Sequence, residues 1–179
     1  IFNWLISLSG KPVLEYIFRN LSTLELIEEY IVVVGYMGET IVHHFGDNYL
    51  GKSIHYAYQE KLSGLVDAIE CARNSLGSSD FFLNLGDEYM VRPRYEDMIN
   101  EFNSSGCHAL LGAVNVKDKD LVRKTYSILH DLENNVCHLL EKPKNPYNTL
   151  MGTGSILFKN EFLGYLKNTP VNPERGERE

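Results

Sequence analysis

Residues 29 to 36 read EYIVVVGY, and from Ile31 to Val34 every position is apolar or β-branched before the chain breaks at Gly35. A strand with one wet face alternates polar and apolar residues. A run that is apolar at every position needs cover on both faces, the condition of a strand inside a sheet sandwiched by helices. This one segment therefore commits the chain to an α/β layer arrangement.

The neighbouring segments supply the helices. KPVLEYIFRNLSTL places Val13, Leu14, Ile17, Phe18 and Leu21 at helical spacing, with Pro12 suited to a first turn. GETIVHHFG predicts a short helix closed by Gly46, SIHYAYQ a strand, and GLVDAIECARNSLG a helix with Leu65, Ala68, Ile69, Ala72 and Leu76 on one stripe, stopped by Gly77. FFLNLGD, RYEDMINEFNSSG and HALLGAVNV then predict strand, helix and strand. This alternation predicts an open mixed sheet, mostly parallel, with helices on both faces. After residue 120 the rhythm changes: TYSILHDLENNVCHLLEKP holds two alternating runs about Asn134 and Asn135, which tolerate positive φ and suit a hairpin. GTGSILF adds a strand and NEFLGYLKN a helix, giving one α/β domain over residues 1–179 with an antiparallel excursion.

Charge narrows the function classes. With 17 Lys and Arg against 24 Asp and Glu, the net charge is −7, which excludes a protein that holds nucleic acid through a basic face. An anionic ligand would need local help from backbone N–H groups, a few placed cations or a metal ion. Cys71, Cys107 and Cys137 are far apart with no CxxC spacing, which predicts reduced thiols in a cytoplasmic setting, not a disulfide or zinc framework. No apolar stretch approaches the ~20 residues of a membrane span. The opening IFNWLISLSG is apolar without a basic region before it, as expected of the interior of a fold that begins earlier.

Residues 81 to 90, FFLNLGDEYM, form an apolar strand that stops on Gly86, Asp87 and Glu88. Ligands of open α/β sheets bind at the carboxyl ends of strands. There Gly86 admits close approach and Asp87 offers a hard oxygen to Mg²⁺, an ion held by one or two carboxylates plus substrate phosphates. Alternatively Asp87 hydrogen-bonds its own turn, and Glu88 is a solvated neighbour. His43 and His44, being adjacent, cannot share a helix face as metal ligands. DKDLVRK reads as a solvated turn, and Phe45, Tyr56, Tyr58, Phe81 and Phe82 as packing.

YQEKLSGLVDAIECARNSLG followed by FFLNLGDEYM resembles the sugar-1-phosphate nucleotidyltransferases, and most of all their glucose-1-phosphate thymidylyltransferase group. IVVVGYMGETIVHHFGDNYLGKSIHYAYQ upstream, LLEKP at 139 to 143 and NPERGERE at the end follow in the family's order, so the likeness runs from about Leu5 onward. The resemblance implies a Rossmann-like sheet of the nucleotide-diphospho-sugar transferase type. It also implies an enzyme that joins a nucleoside triphosphate, dTTP or UTP, to a sugar-1-phosphate such as glucose-1-phosphate. In such a reaction the anionic nucleophile needs no general base, so positioning and charge neutralisation carry catalysis. Carried over by motif, Asp87 is the Mg²⁺ ligand and Lys142 a cation on phosphate. Gln59 reads the pyrimidine edge, Gly64 and Leu65 admit the base, and Gly86 lies beside the nucleotide. Glu141 accepts from sugar hydroxyls, while Tyr126, Thr153 and Gly154 line the sugar pocket; Ser127 stands where the family usually has Gly. A homo-oligomer is compatible with the family.

The family's Gly-rich N-terminal loop and its Pro-Lys pair have no counterpart here; its Lys would fall near Asn3 and its Pro at Ser7. A second metal-binding Asp would follow Glu179. These departures predict a domain incomplete at both ends and a fragment without turnover, or a degenerate paralogue that binds a sugar nucleotide or a catalytic partner.

Overall fold

The structure is a computed structural model and describes residues 7–173 and 176–178. Asn3, Glu174, Arg175 and Glu179, which the sequence reading touches, lie outside the described residues. A two-stranded ribbon, β1 (Ser7–Leu8) and β2 (Lys11–Pro12), leads into α1 (Val13–Ser22). Next come β3 (Glu29–Val34), α2 (Gly38–Phe45), β4 (Asn48–Tyr49), β5 (Lys52–Tyr58), α3 (Leu65–Leu76), β6 (Phe81–Asn84), α4 (Tyr95–Ser105) and β7 (Ala109–Asn115). A single turn of helix, α5 (Lys119–Val122), precedes β8 (Tyr126–His130), β9 (Val136–Glu141) and β10 (Leu150–Phe158). Two 3-10 turns, Asn160–Gly164 and Leu166–Asn168, stand where one helix is expected from NEFLGYLKN.

The α/β layering follows from side-chain alternation along the strands. Phe82 packs into the cluster built by α1, α2, β3, β5 and α4, including Phe18, Val34, Ile41, Ile54 and Ile99. Its neighbours Phe81 and Leu83 pack into a second cluster with Val66 and Ile69 of α3 and Leu163 and Leu166 of the 3-10 turns. Opposite pleat positions thus enter different cores, so β6 is covered on both faces by helices. α3 buries Val66, Ile69 and Ala72 and lies on β3 and β5.

The balance of pairing differs from the sequence expectation of a mostly parallel sheet. Among the described strands one ladder is parallel, β3 with β5, from Glu29 opposite Ser53 to Val34 opposite Tyr58. β10 runs antiparallel to β6, β7 and β8, and β8 pairs antiparallel with β9. β6 and β7 do point the same way, but β10 lies between them as their shared partner. Local periodicity reports that a segment is a strand; it carries no signal for which distant strand becomes its neighbour.

This insertion makes the feature that positions the site. β7 follows one edge of β10 at Leu150–Gly152 and Ile156–Phe158, with an irregularity between. On the other edge β6 pairs with Ser155–Phe158 and β8 with Met151. At residues 152–154 one neighbour has ended and the other has just begun, so the β10 backbone is open to side chains and turns.

Candidate active site at the partner switch of strand β10

The turn after β6 closes on that open backbone. Leu85 N–H donates to the Gly154 carbonyl at 3.1 Å, and Glu88 N–H to Leu85 O at 3.2 Å. The Glu88 carboxylate then turns back, its Oε2 accepting the Gly154 N–H at 2.5 Å. A Cβ on Gly154 would lie 2.6 Å from Leu85 Cγ and 2.7 Å from Glu88 Oε2, so the position admits only glycine without a shift of the turn. Glu88 is therefore no solvated bystander. Desolvation pushes its carboxyl above the usual range, the Gly154 N–H pulls it down, and the neighbouring Asp87 charge raises it again. Asp87 itself is exposed, and Gly86 half-buried, at the tip of this turn.

β8 supplies the next wall. Tyr126 O–H donates to Thr153 O at 2.8 Å, and its ring covers Gly152 so closely that a Cβ there would sit 2.0 Å from ring carbons. Burial, and then the Glu88 charge, push the Tyr126 phenol up to about 12. The hydroxyl of the tyrosine expected to line the sugar pocket is thus engaged with the strand. Ser127, in the place of the usual Gly, is fully buried and accepts the Tyr147 N–H at 3.2 Å. Thr153 is buried, its Oγ1 donating to Gly112 O at 3.0 Å.

Across the β8–β9 ladder Glu141 is paired with Tyr126, which puts both side chains on one face. Lys142 Nζ lies 3.3 Å from Glu141 Oε1, and both side chains are about half exposed. Lys142 has φ +40 directly before Pro143, a conformation that costs on the order of 1–3 kcal/mol in a non-glycine residue. Its N–H donates to Thr125 O at 2.7 Å, which fixes the corner. Asp87, Glu88, Gly154, Thr153, Tyr126, Glu141 and Lys142 are thereby linked in one continuous chain of neighbours.

Gln59, Gly64 and Leu65 form a second group at the start of α3. Gln59 N–H donates to Val34 O at 2.8 Å, tying the end of β5 to β3, and Gln59 Nε2 donates to Gly64 O at 3.1 Å. Gly64 has φ +104, and a Cβ there would lie 2.3 Å from the carbonyl oxygen of Arg178. The space over Gly64 thus receives backbone from the C-terminal segment, a neighbour the sequence reading did not foresee. Arg178 N–H donates to Ser63 O at 3.0 Å, Val66 N–H donates to Arg178 O at 3.2 Å, and the guanidinium meets the Asp67 carboxylate. Leu65 joins the α3 cluster that also holds Leu83 of β6, which links the two groups through packing.

Among the described residues no group of three or more His, Cys, Asp or Glu side chains is arranged to hold a metal ion. The Glu88 carboxylate is spent on Gly154, which leaves Asp87 as the carboxylate at the tip. That arrangement fits an ion carried in with substrate phosphates, as Mg²⁺ usually is, and does not fit a closed protein cage. His43 and His44 lie exposed on α2, and Cys71, Cys107 and Cys137 are free thiols.

Comparison with known proteins identifies the family and the fold. The nucleotidyl transferase family profile matches residues 4–179. The UTP–glucose-1-phosphate uridylyltransferase AglF of Haloferax volcanii is 29% identical over 154 residues, 86% of this chain and 62% of that protein. The bifunctional protein GlmU of Methanococcus maripaludis is 31% identical over 178 residues, 98% of this chain but 39% of that protein. The chain thus spans less than two thirds of either relative. In fold, a candidate glucose-1-phosphate thymidylyltransferase from Bacillus anthracis, solved with sucrose, superposes with a TM-score of 0.84 at 22% identity, covering 99% of this chain and 70% of that one. A UDP-glucose pyrophosphorylase complexed with UDP-glucose gives 0.84 at 16% identity, covering 98% and 74%.

Proposed function

The chain belongs to the nucleotidyl transferase family, and from that premise we propose that the protein joins a nucleoside triphosphate to a sugar-1-phosphate, giving an NDP-sugar and pyrophosphate. The observation that carries this reading is the partner switch on β10. There the turn bearing Asp87 is fastened to Thr153–Gly154, while Tyr126, Glu141 and Lys142 line the adjoining face.

In this reading a phosphate oxygen of the sugar phosphate attacks the α-phosphorus in line, the new P–O bond forms, and the bond to the β-phosphate oxygen breaks with pyrophosphate leaving. The nucleophile is anionic from the start, so the protein supplies orientation and charge and no proton acceptor. Mg²⁺ would neutralise charge on the transferring and leaving phosphoryl groups. Asp87 would hold it at the tip of the β6 turn, beside Gly86. Lys142 contributes a cation to phosphate, held at its corner by the Thr125 carbonyl. Glu141 accepts from sugar hydroxyls, on the face it shares with Tyr126, and Thr153–Gly154 forms the rigid floor. On the nucleotide side Gln59 keeps an amide carbonyl for a pyrimidine edge while its Nε2 braces Gly64, and Leu65 packs under the base.

UTP or dTTP with glucose-1-phosphate is the favoured substrate pair. The uridylyltransferase activity that AglF is named for and the resemblance of the GLVDAI and LGD segments to thymidylyltransferases support it. Three free thiols accord with a cytoplasmic setting, and no described helix is long and apolar enough to cross a membrane. The test is to incubate the full-length protein with each common nucleoside triphosphate, glucose-1-phosphate and Mg²⁺, and to identify product by mass spectrometry. A UDP- or dTDP-sugar supports the reading; no NDP-sugar with any triphosphate and any of glucose-, N-acetylglucosamine- or mannose-1-phosphate overturns it.

A further inference from the structure

Gly154 sits where β10 changes neighbours, and both of its backbone polar groups are taken by the turn that bears Asp87. Leu85 N–H binds its carbonyl at 3.1 Å, and Glu88 Oε2 accepts its N–H at 2.5 Å. Leu85 and Glu88 flank Gly86 and Asp87 and are themselves joined by the Glu88 N–H to Leu85 O bond. A four-residue turn is thus gripped at both ends on one residue of the facing strand. One residue before it, Thr153 O accepts the Tyr126 hydroxyl, and Tyr126 lies opposite Glu141.

We infer that Glu88 is a positioning residue that sets the distance between the Asp87 tip and the face formed by Tyr126, Thr153 and Glu141. Of the two prongs, the Leu85 prong is backbone to backbone and survives any side-chain change. Glu88 supplies the other through its side chain, so this is the prong a substitution can remove. A carboxylate is suited to it because an ionised acceptor makes a shorter, stronger bond to a backbone N–H than a neutral one. Without it the turn keeps one attachment and can pivot about Leu85. The carboxylate does not touch the reacting phosphates in this arrangement; it acts through Gly154 and Asp87. The assignment rests on the nucleotidyl-transfer reading given above.

The test compares full-length wild type with Glu88→Ala and Glu88→Gln by two measurements. Hydrogen exchange at the Gly154 amide reads the clamp whether or not the protein turns over. The split between kcat and the KM values for glucose-1-phosphate and the nucleoside triphosphate reads its consequence. Loss of a charge-assisted bond predicts roughly tenfold or faster exchange at Gly154 in Glu88→Ala, with kcat lowered by a similar factor because the Asp87 tip shifts relative to the sugar face. Glu88→Gln, whose amide oxygen can accept the same N–H, should recover most of both. If Glu88→Ala does not fold, Glu88→Asp, which keeps the charge but falls one methylene short, takes its place with the same expectations. Unchanged exchange at Gly154 would overturn the clamp, and faster exchange with an unchanged kcat would overturn its assignment to positioning. If wild type formed no NDP-sugar, the nucleotidyl-transfer reading and the positioning role would fall together, while exchange still decided the clamp.

Discussion

Tyr126 and Glu141 stand directly opposite each other in the β8–β9 ladder, and the Tyr126 hydroxyl is donated 2.8 Å away to Thr153 O on β10. One phenol thereby ties β8 to β10. Tyr126→Phe keeps the ring over Gly152 and removes only that bond, so stability should fall by about 1 kcal/mol. KM for the sugar phosphate should rise with the triphosphate KM unchanged. Denaturant melts and steady-state kinetics on one preparation check both; a rise confined to the triphosphate would contradict the placement.

Alkaline stability follows from the same residue and from Tyr30, whose phenols are both pushed up to about 12, chiefly by burial. In the unfolded chain these groups ionise near pH 10. Their folded values are raised, so their stabilising contribution is complete below about pH 10 and is lost as pH rises through about 12. Each should add a slope of about −1.4 kcal/mol per pH unit in that window. Unfolding free energies measured from pH 9 to 12 should decline more gently in Tyr126→Phe than in wild type; identical slopes would count against its burial.

Much of this was written in local pattern. The run at Ile31–Val34 is a strand, partly buried at Ile31–Val33 and buried at Val34, the helical stripe of α1 is its buried face, and Asn134 takes φ +65 at the hairpin tip with Asp131 Oδ1 accepting the Glu133 and Asn135 N–H groups. Gly154 is bonded to the Asp87 turn, and Tyr126 is bonded to Thr153 one residue before it. What stayed hidden depends on partners remote in sequence. Nothing in GTGSILF tells that β10 will separate β6 from β7. Two adjacent acids look alike in a string, yet Glu88 turns in to Gly154 while Asp87 stays at the surface. Gly64 was legible as special, but not that Arg178 backbone fills the space above it. Tyr58, read as packing, is 57% exposed.

DKDLVRK shows a different kind of miss. Its charges suggested a solvated turn, but Asp118 caps a helical turn by accepting the Asp120 N–H at 2.9 Å, and this swings Val122 fully inside. The apolar pair Leu121–Val122 among charges was the available signal, and only Val122 is buried. Val122→Ala should destabilise the fold by about 2 kcal/mol, through lost burial and the cavity left behind. A change under about 0.5 kcal/mol, typical of surface sites, would show that the turn is peripheral.

On the nucleotide side, Gly64→Ala must both hold φ +104 and displace the Arg178 carbonyl. The expected cost is on the order of 1–3 kcal/mol in stability, with KM for the triphosphate rising more than that for the sugar phosphate. Arg178→Ala, which loses the Asp67 ion pair but keeps the backbone bonds, should be milder. Equal effects of the two would place the importance of this corner in the guanidinium and not in the backbone contact.

The central claim is that the turn after β6 presents Asp87 to a metal-bound triphosphate. It is tested most directly by pyrophosphate release from the full-length protein with Mg²⁺, glucose-1-phosphate and UTP or dTTP, comparing wild type with Asp87→Asn. The account predicts steady release by wild type and a loss on the order of a hundredfold or more in Asp87→Asn, with an unchanged melting temperature. Full activity in Asp87→Asn would contradict it.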